Sequence, residues 1–396
     1  MIYLDNNATT RVAPEVFEAM RPYLTEAYGN PSSAHSMGQH MGAAVKHARE
    51  QVAELIGASD PSEIVFTSCG SESDNWAIGG FLELNPTRRH IITTRVEHEA
   101  VRNLCEHLAE SGCEVTWLEV DERGAINIAD LRKALRRDTG VVSVMMANNE
   151  TGVLFPIEEI GKIVRKNSDA VFHVDGVQAV GKIPINLKET NVDLFALSGH
   201  KLHAPQGVGA LYIRNGVKLP PFIIGGGQES GRRGGTSAVP NIAALGAACE
   251  LAKNSDAHER IERLRNKLED AILSRIPNAR LNGTADRSKR LPNTSNISFE
   301  YVEGENILVH LDRVGICVST GSACHSSTKE SSPTLRAMNV PYTAAQGSIR
   351  FSLGRYNTEE EIDYTLKVLP EIIGKLVEMS PYDKELRALA MRQRYW

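Results

Sequence analysis

Lys201 closes a short apolar run in Leu197-Ser-Gly-His-Lys-Leu202. Parallel sheets place ligands at the carboxyl ends of their strands, and a lysine shielded there can shed its proton and act as an amine nucleophile. Taken alone, a lysine is far more often a solvated surface residue. Asp175 ends the run before it, Phe172-His-Val-Asp175. An unpartnered buried acid is costly, so such an aspartate either caps a helix at Gly176 or meets a cation. One cofactor needs both groups. Pyridoxal phosphate takes an imine-forming lysine and an acid that keeps its ring nitrogen protonated.

Four other sites could complete such chemistry. Ser68-Cys-Gly70-Ser71-Glu-Ser73 joins a strand-like run to a helix-like one, and small residues before a helix start make a phosphate seat. It lacks the P-loop lysine, and ordinary caps look similar. His98, after the run His90–Thr94, could stack on a flat ring and shuttle protons, or be a solvated loop histidine. Cys324, in Gly321-Ser-Ala-Cys324-His-Ser-Ser, has only Ala323 as an apolar neighbour, so it reads as a reachable nucleophile rather than a core thiol. In Ser348-Ile-Arg350-Phe-Ser-Leu353 the alternation puts Ile349, Phe351 and Leu353 on one face and Arg350 on the other, where a guanidinium could grip a carboxylate. His200 and His203 lack a metal-site arrangement, and the lysine between them suits imine chemistry better.

These residues need a scaffold that brings strand ends together. Glu63–Thr67, His90–Thr94, Val141–Met146, Ala170–Val174, Val192–Leu197 and Gly209–Ile213 read as strands, several of them buried and parallel. Helix-compatible stretches at Glu99–Ser111, Asn127–Arg137 and Ile157–Lys166 lie between them, which predicts a mainly parallel α/β sheet with helices on both faces. Gly225-Gly-Gly and Gly234-Gly235 follow, then a helical stretch from about Asn241 to Ile276. Asn296–Glu300, Ile316–Ser319 and Ser348–Leu353 predict strands of a second, α+β unit, covered by a helix over Glu359–Glu378 that Thr358 caps. The boundary is expected inside the helix near residue 255.

The chain has 396 residues, 41% hydrophobic and 23% charged, enough to bury a large core and too apolar for a disordered chain. A formal charge of −5 argues against a general nucleic-acid binder. No apolar run is long enough for a membrane helix, and no signal peptide is evident at the N-terminus. Six cysteines without a C-x-x-C pair exclude a disulfide scaffold or zinc ribbon and fit a cytoplasmic location.

Together, several segments resemble the NifS/IscS-type cysteine desulfurases, within the class V, fold-type I pyridoxal-phosphate enzymes. They are Tyr3-Leu-Asp-Asn-Asn-Ala-Thr-Thr10, Gly29-Asn-Pro-Ser-Ser33 with His35, Phe66-Thr-Ser, Glu72-Ser-Asp-Asn75, Glu97-His98, Asn148-Asn-Glu-Thr-Gly152, His173-Val-Asp175, Ser198-Gly-His-Lys201 and Gly321-Ser-Ala-Cys324. Phe155-Pro-Ile-Glu-Glu-Ile, Phe299-Glu-Tyr-Val-Glu-Gly and Pro341-Tyr-Thr-Ala-Ala look most like the NifS branch, which supplies nitrogenase. The resemblance runs from residue 3 to about residue 382.

The resemblance implies a large domain, 14–255, around a mainly parallel seven-stranded sheet. It implies a small domain made of 1–13 and 256–396, carrying the sulfur-acceptor loop at about 319–340. It implies that Lys201 holds pyridoxal phosphate and moves the substrate Cα proton, while Asp175 meets the ring nitrogen. Gln178 and Asn149 would bond the ring hydroxyl, and His98 would stack on the ring as acid and base. Gly70, Ser71, Ser198 and His200 would hold the phosphate, with Thr236 reaching the neighbouring subunit's cofactor in a homodimer. Arg350, assisted by Asn149, would hold the carboxylate of L-cysteine. Cys324 would accept the sulfur as a persulfide for a NifU/IscU-like Fe–S scaffold protein. No metal is required, although Cys324 could transiently ligate an Fe–S cluster. Ser71 stands where relatives often carry Thr, and the hydroxyl is kept. A selenocysteine lyase or another class V aminotransferase is the alternative on the same scaffold, and a non-catalytic sulfur carrier would use Cys324 alone. The basic stretch Lys384–Arg394 could dock an acidic partner or be a solvated helix.

Overall fold

The computed structural model describes residues 1–320 and 331–380. Their strands are β1 (Ile2–Tyr3), β2 (Ile64–Thr67), β3 (His90–Thr94), β4 (Glu114–Leu118), β5 (Thr139–Ser143), β6 (Val171–Asp175), β7 (Leu194–Ser198), β8 (Gly209–Ile213), β9 (Ala279–Leu281), β10 (Thr294–Phe299), β11 (Ile316–Cys317), β12 (Ser319–Thr320) and β13 (Ser348–Ser352). The helices are α1 (Pro14–Thr25), α2 (Ser36–Ile56), α3 (Gly70–Leu84), α4 (Glu99–Glu110), α5 (Ile128–Ala134), α6 (Ile157–Asn167), α7 (Val239–Ala252), α8 (Ser255–Arg275), α9 (Gly304–Arg313), α10 (Pro333–Ala337), α11 (Tyr342–Gln346) and α12 (Glu359–Met379).

Seven strands form one sheet in the order β2-β8-β7-β6-β5-β3-β4. Only β8 runs antiparallel to its neighbours. Strands β2, β3 and β5 to β8 are buried along their whole length, because helices cover both faces. The consequence for function is directional. Strands β2, β3, β5, β6 and β7 all end on the same edge, so the turns after them face one another.

A second, antiparallel sheet has the order β12-β13-β10-β9. Its core joins Ile297, Phe299, Ile349 and Phe351 to Ile362, Leu366 and Leu369 of α12. The chain's start belongs to this core too. Strand β1 pairs in parallel with β11, and Leu4 is buried in the same cluster.

The helix expected across 241–276 is two helices, α7 and α8, broken at Lys253 and Asn254. Asn254 starts the second, its Oδ1 accepting the Ala257 N–H at 3.2 Å. The run Val141–Met146 stops pairing after Ser143, where the chain turns into the site. Ile316–Ser319 is not one strand. Residues 316–317 pair with β1 and residues 319–320 with β13. Thr358 does cap α12, in a capping box with Glu361.

Candidate active site

Each predicted strand end becomes a wall of one cavity of about 390 Å³. Gly70, Ser71, His98, Asn149, Asp175, Gln178, Ser198, His200, Lys201 and Arg350 all line it. Thr236 does not; it lies on an exposed loop after Gly234 and Gly235. Cys324 lies outside the described residues, as does Lys384–Arg394.

The phosphate-seat reading has local support. Cys69 begins α3, its Sγ accepting the Glu72 N–H at 3.5 Å, and Gly70 and Ser71 form the first turn. Glu72 is held by the Ser68 N–H and by Arg233. A side chain at Gly70 would put its Cβ 2.7 Å from Val177 Cγ2, so only glycine fits. The Ser198 hydroxyl is buried at 3% exposure with no hydrogen-bond partner among the described residues. A buried orphan donor lining a cavity signals a missing acceptor. His200 completes this wall, its Nδ1 3.1 Å from Thr9 Oγ1. Burial, then the nearby Lys201 ammonium, pushes it down to about 4, so at neutral pH it is an uncharged ring.

Lys201 follows β7 in a tight turn. Its Nζ donates to the carbonyls of Asn7 and Ala8, both at 2.6 Å. The N-terminal segment thus crosses the site and holds the lysine. Asp175 ends β6, beside β7, and its Oδ1 accepts the Val177 N–H at 2.9 Å. The aspartate is therefore a cap as well as a buried acid. Burial pushes its carboxyl up, while His98 and Lys201 pull it back. His98 begins α4, and its Nδ1 accepts the Ala100 N–H at 3.1 Å. In the neutral ring that fixes the proton on Nε2.

Gln178 is more committed than its predicted role suggests. Its Nε2 donates to the Asn7 carbonyl at 2.9 Å, and its Oε1 accepts from Lys182 Nζ at 2.7 Å. Lys182 is itself buried, and burial drives its amine well below the ordinary lysine value. Arg350, 7% exposed, points away from the face of Ile349 and Phe351, as the alternation required. Its Nη1 donates to the Asn149 carbonyl at 3.0 Å and its Nη2 to Asp5 at 2.8 Å, while the buried Nε has no partner among the described residues.

Sequence reasoning assigned no role to a group of acids in the same cavity: Asp5, Asp74, Glu97 and Glu150. Asp74 and Glu97 stand with Asp175 as three buried carboxyls. Burial raises Asp74 strongly and lifts Glu97 to about 8, and the Asp175 charge adds to both. His173 Nε2 lies 3.3 Å from Asp74 Oδ1, and burial keeps this imidazole neutral by pushing it down to about 3. The quoted motifs contain all four acids, but nothing in a linear sequence separates them from surface acids. Among the other thiols, Cys105 and Cys249 are buried and pushed up to about 12, the range of an inert core thiol.

A seven-stranded, mainly parallel sheet with a lysine, an acid and an anion seat at its strand ends defines a cofactor-binding α/β fold. Comparison with known proteins agrees. The aminotransferase class-V family model matches residues 2–365, and the chain belongs to that family. "Cysteine desulfurase 2" of Trichormus variabilis is 55% identical over 386 residues, which is 97% of this chain and 96% of the relative. "Cysteine desulfurase NifS" of Azotobacter vinelandii is 52% identical, covering 96% of this chain and 94% of the relative. Among solved structures, a NifS-like protein superimposes with a TM-score of 0.89 at 42% identity, covering 95% of this chain and all of the other.

Proposed function

We propose that this protein is a pyridoxal-phosphate-dependent cysteine desulfurase that converts L-cysteine to L-alanine and passes the sulfur to Cys324. The observation that carries the reading is the convergence of Lys201, Asp175, His98, the orphan Ser198 hydroxyl and Arg350 on one cavity. These residues fit the cofactor. Lys201 offers the amine, Asp175 a buried acid for the ring nitrogen, and His98 a flat ring. Gly70, Ser71, Ser198 and His200 offer a seat for the phosphate.

Bound there, the cofactor supplies an electron sink that lets the substrate Cα proton leave and weakens the Cβ–S bond. The chain's residues do the rest. Lys201 takes the Cα proton, and the His98 Nε2 proton is available to the ring face. Arg350 binds the substrate carboxylate through its free Nε, and Asn149 and Gln178 orient the ring from the opposite side. The Cys324 thiolate attacks the substrate sulfur. An S–S bond forms, the Cβ–S bond breaks with its electron pair staying on carbon, and protonation of that carbon gives alanine. Thr236 reaches a neighbouring subunit's cofactor in a homodimer, and its exposed loop position supports that role. The units are 14–255 and 1–13 with 256–396. The persulfide passes to an Fe–S scaffold protein in the cytoplasm, and likeness to the NifS-named relative favours nitrogenase-related supply. Among the described residues no helix is long and apolar enough to cross a membrane.

The test is release of alanine and sulfide from L-cysteine with a reductant, comparing the native protein with Cys324→Ala and Cys69→Ala. Equal release of both products, lost only in Cys324→Ala, is expected. No turnover by the cofactor-loaded native protein would reject the assignment, and alanine formation surviving in Cys324→Ala would remove that thiol from the mechanism.

A further inference from the structure

Glu150 is a buried carboxyl that the chemistry above does not use. It is 8% exposed and lines the cavity. Its main chain is tied to the site. The Glu150 N–H donates to Asn148 Oδ1 at 3.0 Å, and Asn148 Nδ2 donates to the Val96 carbonyl, two residues before His98. The Asn149 carbonyl, next in line, accepts from Arg350. Its side chain reaches the other way. Oε2 accepts the Ser332 hydroxyl at 2.5 Å, and Thr334 supplies a second side-chain hydrogen bond. Ser332 also starts α10, its Oγ accepting the Leu335 N–H at 3.2 Å.

Ser332 and Thr334 stand just after the described chain resumes, downstream of Cys324. On the upstream side, Ser319 and Thr320 are laddered to Arg350 and Ile349 of β13. The two attachments differ in kind. The upstream one is sheet, shared with the core. The downstream one depends on one carboxyl meeting two hydroxyls, so it can be removed separately.

We propose that Glu150 is a positioning residue for sulfur transfer: through Ser332 it holds the downstream end of the Cys324-bearing segment in register with His98 and Arg350. This rests on reading Cys324 as the sulfur acceptor. Reaction between two groups is steep in their relative placement, so losing the tie slows the thiol step and spares cofactor and substrate binding.

The experiment mixes the cofactor-loaded enzyme rapidly with L-cysteine and follows two signals. One is the absorbance change of the bound cofactor, and the other is persulfide on Cys324 by mass spectrometry. In Glu150→Ala and Ser332→Ala the first rate is expected to stay within about threefold and the second to fall on the order of tenfold or more. The double variant falls about as far as either single one, because both remove the same contact. Glu150→Gln keeps an acceptor oxygen for Ser332 and restores most of the persulfide rate. Parallel loss of both signals, or an unchanged persulfide rate in Ser332→Ala, overturns the proposal. Additive losses in the double variant do so too. If Glu150→Ala fails to fold, Ser332→Ala and the recovery by Glu150→Gln carry the test. Failure of the underlying reading shows separately, as alanine production that survives in Cys324→Ala.

Discussion

Replacing Glu97 by Gln tests whether the floor of the cavity is neutral. The carboxyl is 4% exposed. Its Oε1 accepts from the Thr94 hydroxyl at 2.7 Å and the Met145 N–H at 3.1 Å, while Oε2 has no partner among the described residues. Burial raises it from 4.5 to about 8 despite those bonds, with the Asp175 charge adding to the rise. The sign follows from proton counting. Below pH 4.5 both folded and unfolded chains hold the proton, so the group has no effect. Between 4.5 and about 8 the unfolded chain has released a proton that the folded chain keeps. Stability then falls as pH rises, by about 1.4 kcal/mol per pH unit. By pH 7 the loss is about 3 kcal/mol. Gln keeps the Oε1 acceptor and the shape but cannot ionise. The urea unfolding midpoints of native and Glu97→Gln cofactor-free protein are expected to coincide near pH 4.5. They should separate progressively toward pH 8, with the variant the more stable. A variant equally or less stable at pH 7.5 would refute the assignment of a protonated, desolvated acid.

Arg350→Lys removes a bidentate grip on a carboxylate, so the KM for L-cysteine should rise on the order of ten- to a hundredfold with the cofactor absorbance unchanged. An unmoved KM would detach Arg350 from the substrate. Gly70→Ala forces its Cβ toward Val177 at 2.7 Å, and overpacking of that kind costs ~1–3 kcal/mol. Absorbance titration should show weaker cofactor binding, and unchanged affinity would argue against the phosphate seat. Glu269 meets Arg290 through two bonds of 2.8 and 2.7 Å with both residues buried, so Glu269→Ala should cost about 3–5 kcal/mol in chemical denaturation. Burial pushes Glu269 up, but Arg290 and Ser295 outweigh it and leave the carboxyl below its ordinary value. Its contribution is therefore present above pH 4.5 and lost as pH falls through the lowered value, so the native protein should lose its advantage over the variant in acid.

What the sequence determined by itself was local. Apolar β-branched runs such as Ile91-Ile-Thr-Thr94 and Val171-Phe-His-Val174 must be buried strands, and the residue types just past them must face a ligand if the strands are parallel. Lys201, Asp175, His98 and the Ser68–Ser71 turn follow from that, as does the outward face of Arg350. The half-exposed edge strand β4, by contrast, carries a weak pattern because only part of it is buried. The break between α7 and α8 had a legible signal, Asn254 as a cap, but a helical pattern on both sides hid it. Tertiary structure alone decided which polar groups share a dielectric. Asp74, Glu97 and Glu150 look like surface acids in a linear sequence. Desolvation, and with it their protonation and their partners, comes from elements far apart in the chain. Asp5 meets Arg350, Asn7 and Ala8 hold Lys201, and Glu150 meets Ser332, because the N-terminal segment and the second sheet close over the strand ends of the first.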